Sequence, residues 1–335
     1  MTNEGIRKMR YSPIKHPDSV LDILISEIFH SSPDLRVSKN IIYKILYDLK
    51  NQLDTDNPIR DTLSFYWYFY GPNSDSLKEH ITKMEKRGIL DQQELPDGRP
   101  LLHLKRDISH IDDNGLDEAH TKLHKILTGF DISKAGEYRE SIYRRYAPFS
   151  FQNTFKHDYL KQLKSFNAKI QVKIVLEDNE NEDEILKEFS RLENLLYTSE
   201  NELSVHPVFE DFQEDFSSFV TGTLRILETN MEVSDFNKFN LGKETLDFLN
   251  DSTWNTFARG VRIPDEGHDP IYNDKVPEWC EIFKNSLEGY ETIIDDYDTQ
   301  SIDFISMNRL RSKILSSQSK SILSSSICGY LGYGE

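Results

Sequence analysis

The sequence predicts a mainly α protein with a small β component (α+β), built as two domains over residues 1–115 and 116–335. Three observations lead there. Apolar residues recur at three- and four-residue spacing through most of the chain, the mark of helices that bury one face. β-prone runs are short and gather mainly before residue 105. A chain of 335 residues, 37% of them hydrophobic and 11% aromatic, is long enough and apolar enough for two packed cores.

The elements follow in order. Pro17, with Asp18 or Ser19 as N-cap, opens a helix carrying Leu21, Leu24, Ile25 and Ile28, which Ser31-Ser32-Pro33 ends. Ser38 caps a second helix whose Ile41, Ile42, Ile45, Leu46, Leu49 and Leu53 form one stripe. After a polar turn at 54–58, the aromatic run from Leu63 to Tyr70 reads as a buried strand or a short aromatic helix. Gly71-Pro72-Asn73-Ser74 reverses the chain, and Asn73 or Ser74 caps a third main helix that buries Leu77, Ile81 and Met84 and stops at Gly88. Ile89 and Leu90 open a strand, Pro96-Asp97-Gly98 turns it, and Leu101, Leu102 and Leu104 return. Three helices followed by a two-stranded hairpin is the order of a winged helix, with the hairpin as wing.

Two runs, KNIIYKILYDLKN and SFYWYFYGPNSDSLKEHITKMEKRGIL, give residues 36–105 a further resemblance. They resemble the YwgA-like and Panacea-type families, in which a Leu/Ile-rich helix precedes an aromatic-Gly-Pro turn and a helix ending near a Gly-Leu-Ile. The matching positions are Ile42 to Leu49, Phe69 to Ser74, and Leu77 to Leu90. Asn73 and the Tyr43-Lys44 pair depart from the usual residues. The resemblance implies an antitoxin-like function exercised by holding a partner protein, in a phage or mobile-element setting.

Beyond Asn114-Gly115 the stripes are helical: Leu116, Ala119, Leu123, Ile126 and Leu127; Phe151, Phe155, Tyr159, Leu163 and Phe166; Ile185, Leu186, Phe189, Leu192 and Leu196. A phenylalanine-rich helix (Phe209, Phe212, Phe216, Phe219) and a long one from Trp279 to Ile294 follow, and the phenylalanines are expected in the core. Lys169 to Leu176 alternates polar and apolar residues and suggests a lone or edge strand. Residues 177–184 and 263–277 read as loops, and 312–335 as a Ser-rich tail with a Gly/Tyr end.

Composition removes several classes. No apolar run approaches a membrane span and none follows the basic start, so a soluble, cytoplasmic chain is expected, with no membrane partner. Cys280 and Cys328 are too few and too far apart for a zinc knuckle or disulfide framework. The net charge of −17 argues against indiscriminate coating of nucleic acid. It is unevenly spread: residues 1–115 sum to −2, 121–175 to +7 and 176–300 to −22. That pattern suggests solvated helix faces or charge complementarity, within the chain or with a basic partner surface.

The leading expectation is therefore a non-enzymatic protein-interaction module, an antitoxin-like or defence-system accessory subunit, binding a partner with a basic surface and needing no cofactor. The alternative is a winged-helix DNA-binding transcriptional regulator, with Lys78, Lys83, Lys86 and Arg87 on the third helix and Arg99, Lys105 and Arg106 at the wing contacting phosphates, and the second domain assembling a homo-oligomer. Against it, Glu79, Glu85, Asp91, Glu94 and Asp97 are interspersed among the cations. A further alternative, a cryptic metal-dependent nuclease, would use His120 and His124, one helical turn apart, with Asp117. No HExxH glutamate separates them, the DEAH at 117–120 lacks a phosphate loop, and neither a complete Arg-to-His ribonuclease spacing nor a PD-(D/E)xK set is present. Asp265, Glu266, His268 and Asp269 form one more acidic cluster in a loop.

Overall fold

A computed structural model describes residues 16–299, apart from 33, 70, 95–99, 107, 109–115, 177–181, 234 and 266–269. The described residues are mainly helical with two small antiparallel sheets. They divide into two compact units, residues 16–147 with 262–276, and residues 148–261 with 277–299. The division thus falls at 147/148, not at the expected 115/116, and a later segment returns to the first unit.

In the first unit, α1 (Pro17–His30) leads through β1 (Arg36–Val37) to α2 (Lys39–Gln52) and the short α3 (Pro58–Thr62). Leu24, Ile25, Ile28, Ile42, Ile45, Leu46 and Leu49 are fully buried in one shared core. Ser38 occupies the N-cap of α2 without a side-chain bond, whereas Asn57 caps α3 by accepting from the Ile59 N–H at 2.9 Å. The aromatic run forms β2 (Tyr66–Tyr68), which pairs with β3 (Gly71–Asn73) in a tight hairpin. Gly71 has φ +93°, and a Cβ there would lie 3.2 Å from the Tyr143 ring, so both conformation and space call for glycine. Ser74 then caps α4 (Asp75–Lys86) through the Leu77 N–H at 3.2 Å, and Leu77, Ile81 and Met84 are buried. Gly88, at φ +67°, ends that helix, and the Ile89 N–H bonds back to the Met84 carbonyl at 3.0 Å. The strands β4 (Leu90–Glu94) and β5 (Pro100–Leu104) pair antiparallel, and β1 adds on the far side of β5.

α5 (Leu116–Thr128) and α6 (Ala135–Tyr146) complete this core and do not begin a new one. Glu118 accepts from the Asp54 N–H and the Asn57 side chain, and Lys122 donates to the Gln52 carbonyl, so α5 is tied to the end of α2. α6 is tied through Asp48, 2% exposed, whose carboxylate takes two bonds from Arg145 at 2.9 Å and one each from the Tyr138 and Tyr146 hydroxyls. These bonds are the physical reason the boundary moves beyond residue 146.

The second unit opens with α7 (Ser150–Asn153), passes through one π-helical turn at Thr154–Tyr159, and continues as α8 (Leu160–Leu176), α9 (Glu182–Ser204), α10 (Glu210–Glu232) and α11 (Phe236–Gly260). The strand expected over Lys169 to Leu176 is helical. Ile170, on the same face as Leu163 and Phe166, is buried with them, so the stripe of 163–166 simply runs on. The phenylalanines form the expected core: Phe212, Phe216 and Phe219 are wholly buried.

After α11 the chain returns to the first unit. β6 (Ile263–Pro264) pairs antiparallel with β2, so the second sheet has the order β3-β2-β6, and the short α12 (Pro270–Asn273) carries the buried Tyr272. The expected loop at 263–277 is thus partly a built-in strand and helix. α13 (Val276–Thr299) then closes the second unit. Among the described residues no helix is long and apolar enough to cross a membrane. Arg99, residues 266–269 and the tail at 312–335 lie outside the described residues.

Candidate functional site

Of the seven cations expected to meet phosphate, the six among the described residues divide into two groups. Lys78, Lys83 and Lys86 stand exposed on α4. Arg87, itself half exposed, instead pairs with Asp22, 2.5 Å away, a carboxylate only 4% exposed that also meets His80 Nε2 at 2.8 Å. Burial pushes the Asp22 carboxyl up, but His80 and Arg87 outweigh it and hold it below its ordinary value. Arg106 donates to the backbone carbonyls of Arg87 and Gly88, fastening the end of α4, and Lys105 pairs with Asp91 at 3.3 Å across the hairpin. The N-terminus of α4 is engaged as well. The Asp75 N–H donates to the Tyr272 hydroxyl at 3.1 Å, while the Asp75 carboxylate accepts from Tyr66 and pairs with Lys275 at 2.9 Å.

A comparable rearrangement applies to the charge blocks. Lys169 on α8 pairs with Glu184 and Glu188 on α9, and Lys173 with Glu182 at 3.3 Å. Part of the basic 121–175 stretch is therefore answered by the acidic stretch within the same unit. α10 and α13 are different: together they hold 13 Asp and Glu against Arg225 and Lys284. Asp215 on α10 registers this, because burial first, and then Glu291, Asp295, Glu214 and Asp211, push its carboxyl up to about 6.

No family model, characterised protein or solved structure matches this chain. Geometry alone therefore ranks the candidate surfaces.

Asp215 yields a pH prediction. Its folded value lies above the ordinary 3.8, so the folded state binds the proton more tightly and stability falls as pH rises from 3.8 through about 6. Asp215→Asn removes that loss. The variant is expected to be more stable than the parent by about 1 kcal/mol at neutral pH, after discounting for solvent screening, with no gain at about pH 4. Urea unfolding at the two pH values measures it, and equal stability at neutral pH would refute the assignment.

The histidines do not converge as the nuclease expectation requires. His120 Nδ1 contacts Glu27 of α1, and His124 lies with them along a cleft that Asp117 does not line. Among the described residues no group of three His, Cys, Asp or Glu side chains could hold a metal ion. Sequence reasoning missed Glu27 and His30, the cleft's contribution from α1, and also missed Asp22 and Asp48. A usable signal existed for the last two: each is a carboxylate embedded in an apolar helical stripe, Asp22 beside Leu21 and Leu24, Asp48 beside Leu46 and Leu49, and a charge in such a place must find a buried partner.

Proposed function

We propose that this chain is a non-enzymatic protein-interaction module, antitoxin-like or accessory to a defence system, in which a winged-helix-like first unit of Panacea-type character accompanies an acidic helical unit. One observation carries the reading: besides burial, Glu291, Asp295, Glu214 and Asp211 on α10 and α13 together push the Asp215 carboxyl up, an acidic cluster whose self-repulsion a basic partner would relieve. The order α1-β1-α2-α3-β2-β3-α4-β4-β5, with β1 on β5, supports the winged-helix comparison, with the β2-β3 hairpin inserted before α4. The return of 262–276 onto the start of α4, and the engagement of Arg87 by Asp22, favour a protein partner over a duplex groove.

The test is affinity capture of the full chain from its native source. A stoichiometric partner is expected, released at about 1 M salt, where charges are screened beyond roughly 3 Å. Asp211→Lys with Glu214→Lys and Glu291→Lys should weaken that complex at least about tenfold. Recovery as a lone monomer overturns the proposal.

A second reading, a DNA-binding regulator, keeps one specific observation in its favour: Lys78, Lys83 and Lys86 are exposed on a single helix. Full-length protein should then be retained on duplex DNA at low salt, and Lys78→Glu with Lys83→Glu should cut retention at least about tenfold. Arg87 is unsuited to this test, since its guanidinium holds Asp22. No retention of the parent protein at low salt refutes the reading.

A further inference from the structure

The ends of α1 and α5 meet over a cleft of about 670 Å³, lined by Glu27, His30 and Ser31 from α1 and by His120, Thr121, His124, Leu127 and Thr128 from α5. That volume falls within the range of small-molecule sites. Its lining sets one carboxylate, pushed up to about 7 by burial, among the imidazoles of His30, His120 and His124. Glu27, only 30% exposed, is the sole carboxylate in the lining, and neither Lys nor Arg lines the cleft. The three hydroxyls have their protons committed: Ser31 donates to the Ile28 carbonyl at 2.7 Å, Thr121 to Asp117 and Thr128 to His124 at 2.8 Å each. Each oxygen therefore offers only lone pairs to a ligand. Both helices also end here, α1 at His30 and α5 at Thr128, so two sets of terminal carbonyls, the negative ends of the helix dipoles, add to the same field. Leu127 and the methyl groups of Thr121 and Thr128 supply an apolar wall between the acceptors.

We propose that this cleft binds an alkylammonium or guanidinium group on a short aliphatic stem, with Glu27 as its counter-ion. The head group needs several acceptors and a carboxylate, which Glu27, the hydroxyl oxygens and the helix ends provide, and the stem needs an apolar wall, which Leu127 provides. An organic cation fits better than a metal ion, because no three His, Cys, Asp or Glu side chains among the described residues are placed to hold one. The ligand displaces His120 from Glu27, exchanging one cationic or hydrogen-bonding neighbour for another. This inference is independent of the proposed acidic docking face, which lies in the other unit.

The same head-group chemistry belongs to free amines and to Lys or Arg side chains of a partner, and the experiment separates them. Imidazole resonances of the full chain are followed by NMR during titration with agmatine, with N-acetyl-lysine methylamide, and with inorganic phosphate. Saturable shifts of His120 and His124 are expected with at least one of the two amines, at a Kd of about 1 mM or tighter, and the tighter of the two identifies the source. Glu27→Gln should weaken that binding at least about tenfold. No saturable shift with either amine at about ten times that concentration overturns the proposal, as does a response to phosphate equal to the response to the amines. Folded Glu27→Gln protein that binds as the parent does overturns it too. If Glu27→Gln does not fold, the parent titrations still decide.

Discussion

Arg145→Ala is expected to destabilise the first unit by about 2–3 kcal/mol, because it leaves the buried Asp48 carboxylate without its cation, a loss moderated by the 42% exposure of Arg145. Asp48 is 2% exposed, and Arg145 supplies two of its bonds, both at 2.9 Å. The hydroxyls of Tyr138 and Tyr146 and the Gln52 side-chain amide remain as donors, at 2.9 Å, 2.8 Å and 2.9 Å, but none brings a charge. Arg145→Lys should recover only part of the loss, since an ammonium cannot reproduce the two-pronged geometry. Asp48→Asn combined with Arg145→Ala should be no less stable than Arg145→Ala alone, because the variant without the carboxylate has no stranded charge. Chemical denaturation followed by far-ultraviolet circular dichroism measures all three. A loss below about 1 kcal/mol for Arg145→Ala would mean that the pair behaves as an exposed surface bridge and that α6 is held by apolar packing alone.

Phe212→Ala carries a larger expected loss in the second unit, about 3–5 kcal/mol. Its ring is wholly buried and meets five others: Tyr290 at 5.5 Å, Phe257 at 5.6 Å, Phe216 at 6.0 Å, Phe151 at 6.1 Å and Phe283 at 6.3 Å between centroids. Those partners come from α7, α10, α11 and α13, so one truncation opens a void that four helices share. Phe212→Leu keeps most of the volume and forfeits the ring pairs, each worth about 0.5–1.5 kcal/mol, and is expected to cost roughly half as much. Thermal unfolding read by near-ultraviolet circular dichroism, which reports the packed rings, tests the order parent, Leu, Ala. Equal midpoints for Ala and Leu would overturn the view that volume dominates at this position.

What the sequence made legible was local. The apolar stripe of α2, a cap at Asn73 or Ser74, the stop at Gly88 and the strands on either side of the 96–98 turn each depend on residues close together in the chain. Lys169 to Leu176 was misleading because Lys-Ile-Gln-Val-Lys-Ile satisfies a period of two and, through Phe166, Ile170 and Ile174, the period of a helix equally well. The continuing stripe from Leu163 decides between them. The domain boundary and β6 were not legible, because both are set by side chains and strands far apart in the chain. Asp48 finds Arg145 across 97 positions, and the Tyr47 hydroxyl finds Asp265 across 218. For the candidate surfaces the cations themselves were readable, but whether each faced outward was not. Lys83 and Arg87 lie four positions apart on one helix end, yet only Arg87 has the buried Asp22 within reach.

The return of residues 262–276 has a consequence for how the protein is made. Lys50, 6% exposed, pairs with Asp265 at 2.8 Å, and the Trp67 indole donates to the same Tyr47 hydroxyl that donates to Asp265. During synthesis the first 147 residues leave the ribosome long before that carboxylate exists. The nascent first unit must wait, its lysine hydrated and one edge of β2 unpaired, while every residue from 148 to 261 is added. Its last bonds close only after the second unit's α8 to α11 have been translated, an order of assembly that exposes a strand edge to chaperones or to neighbouring chains on the same message throughout the interval.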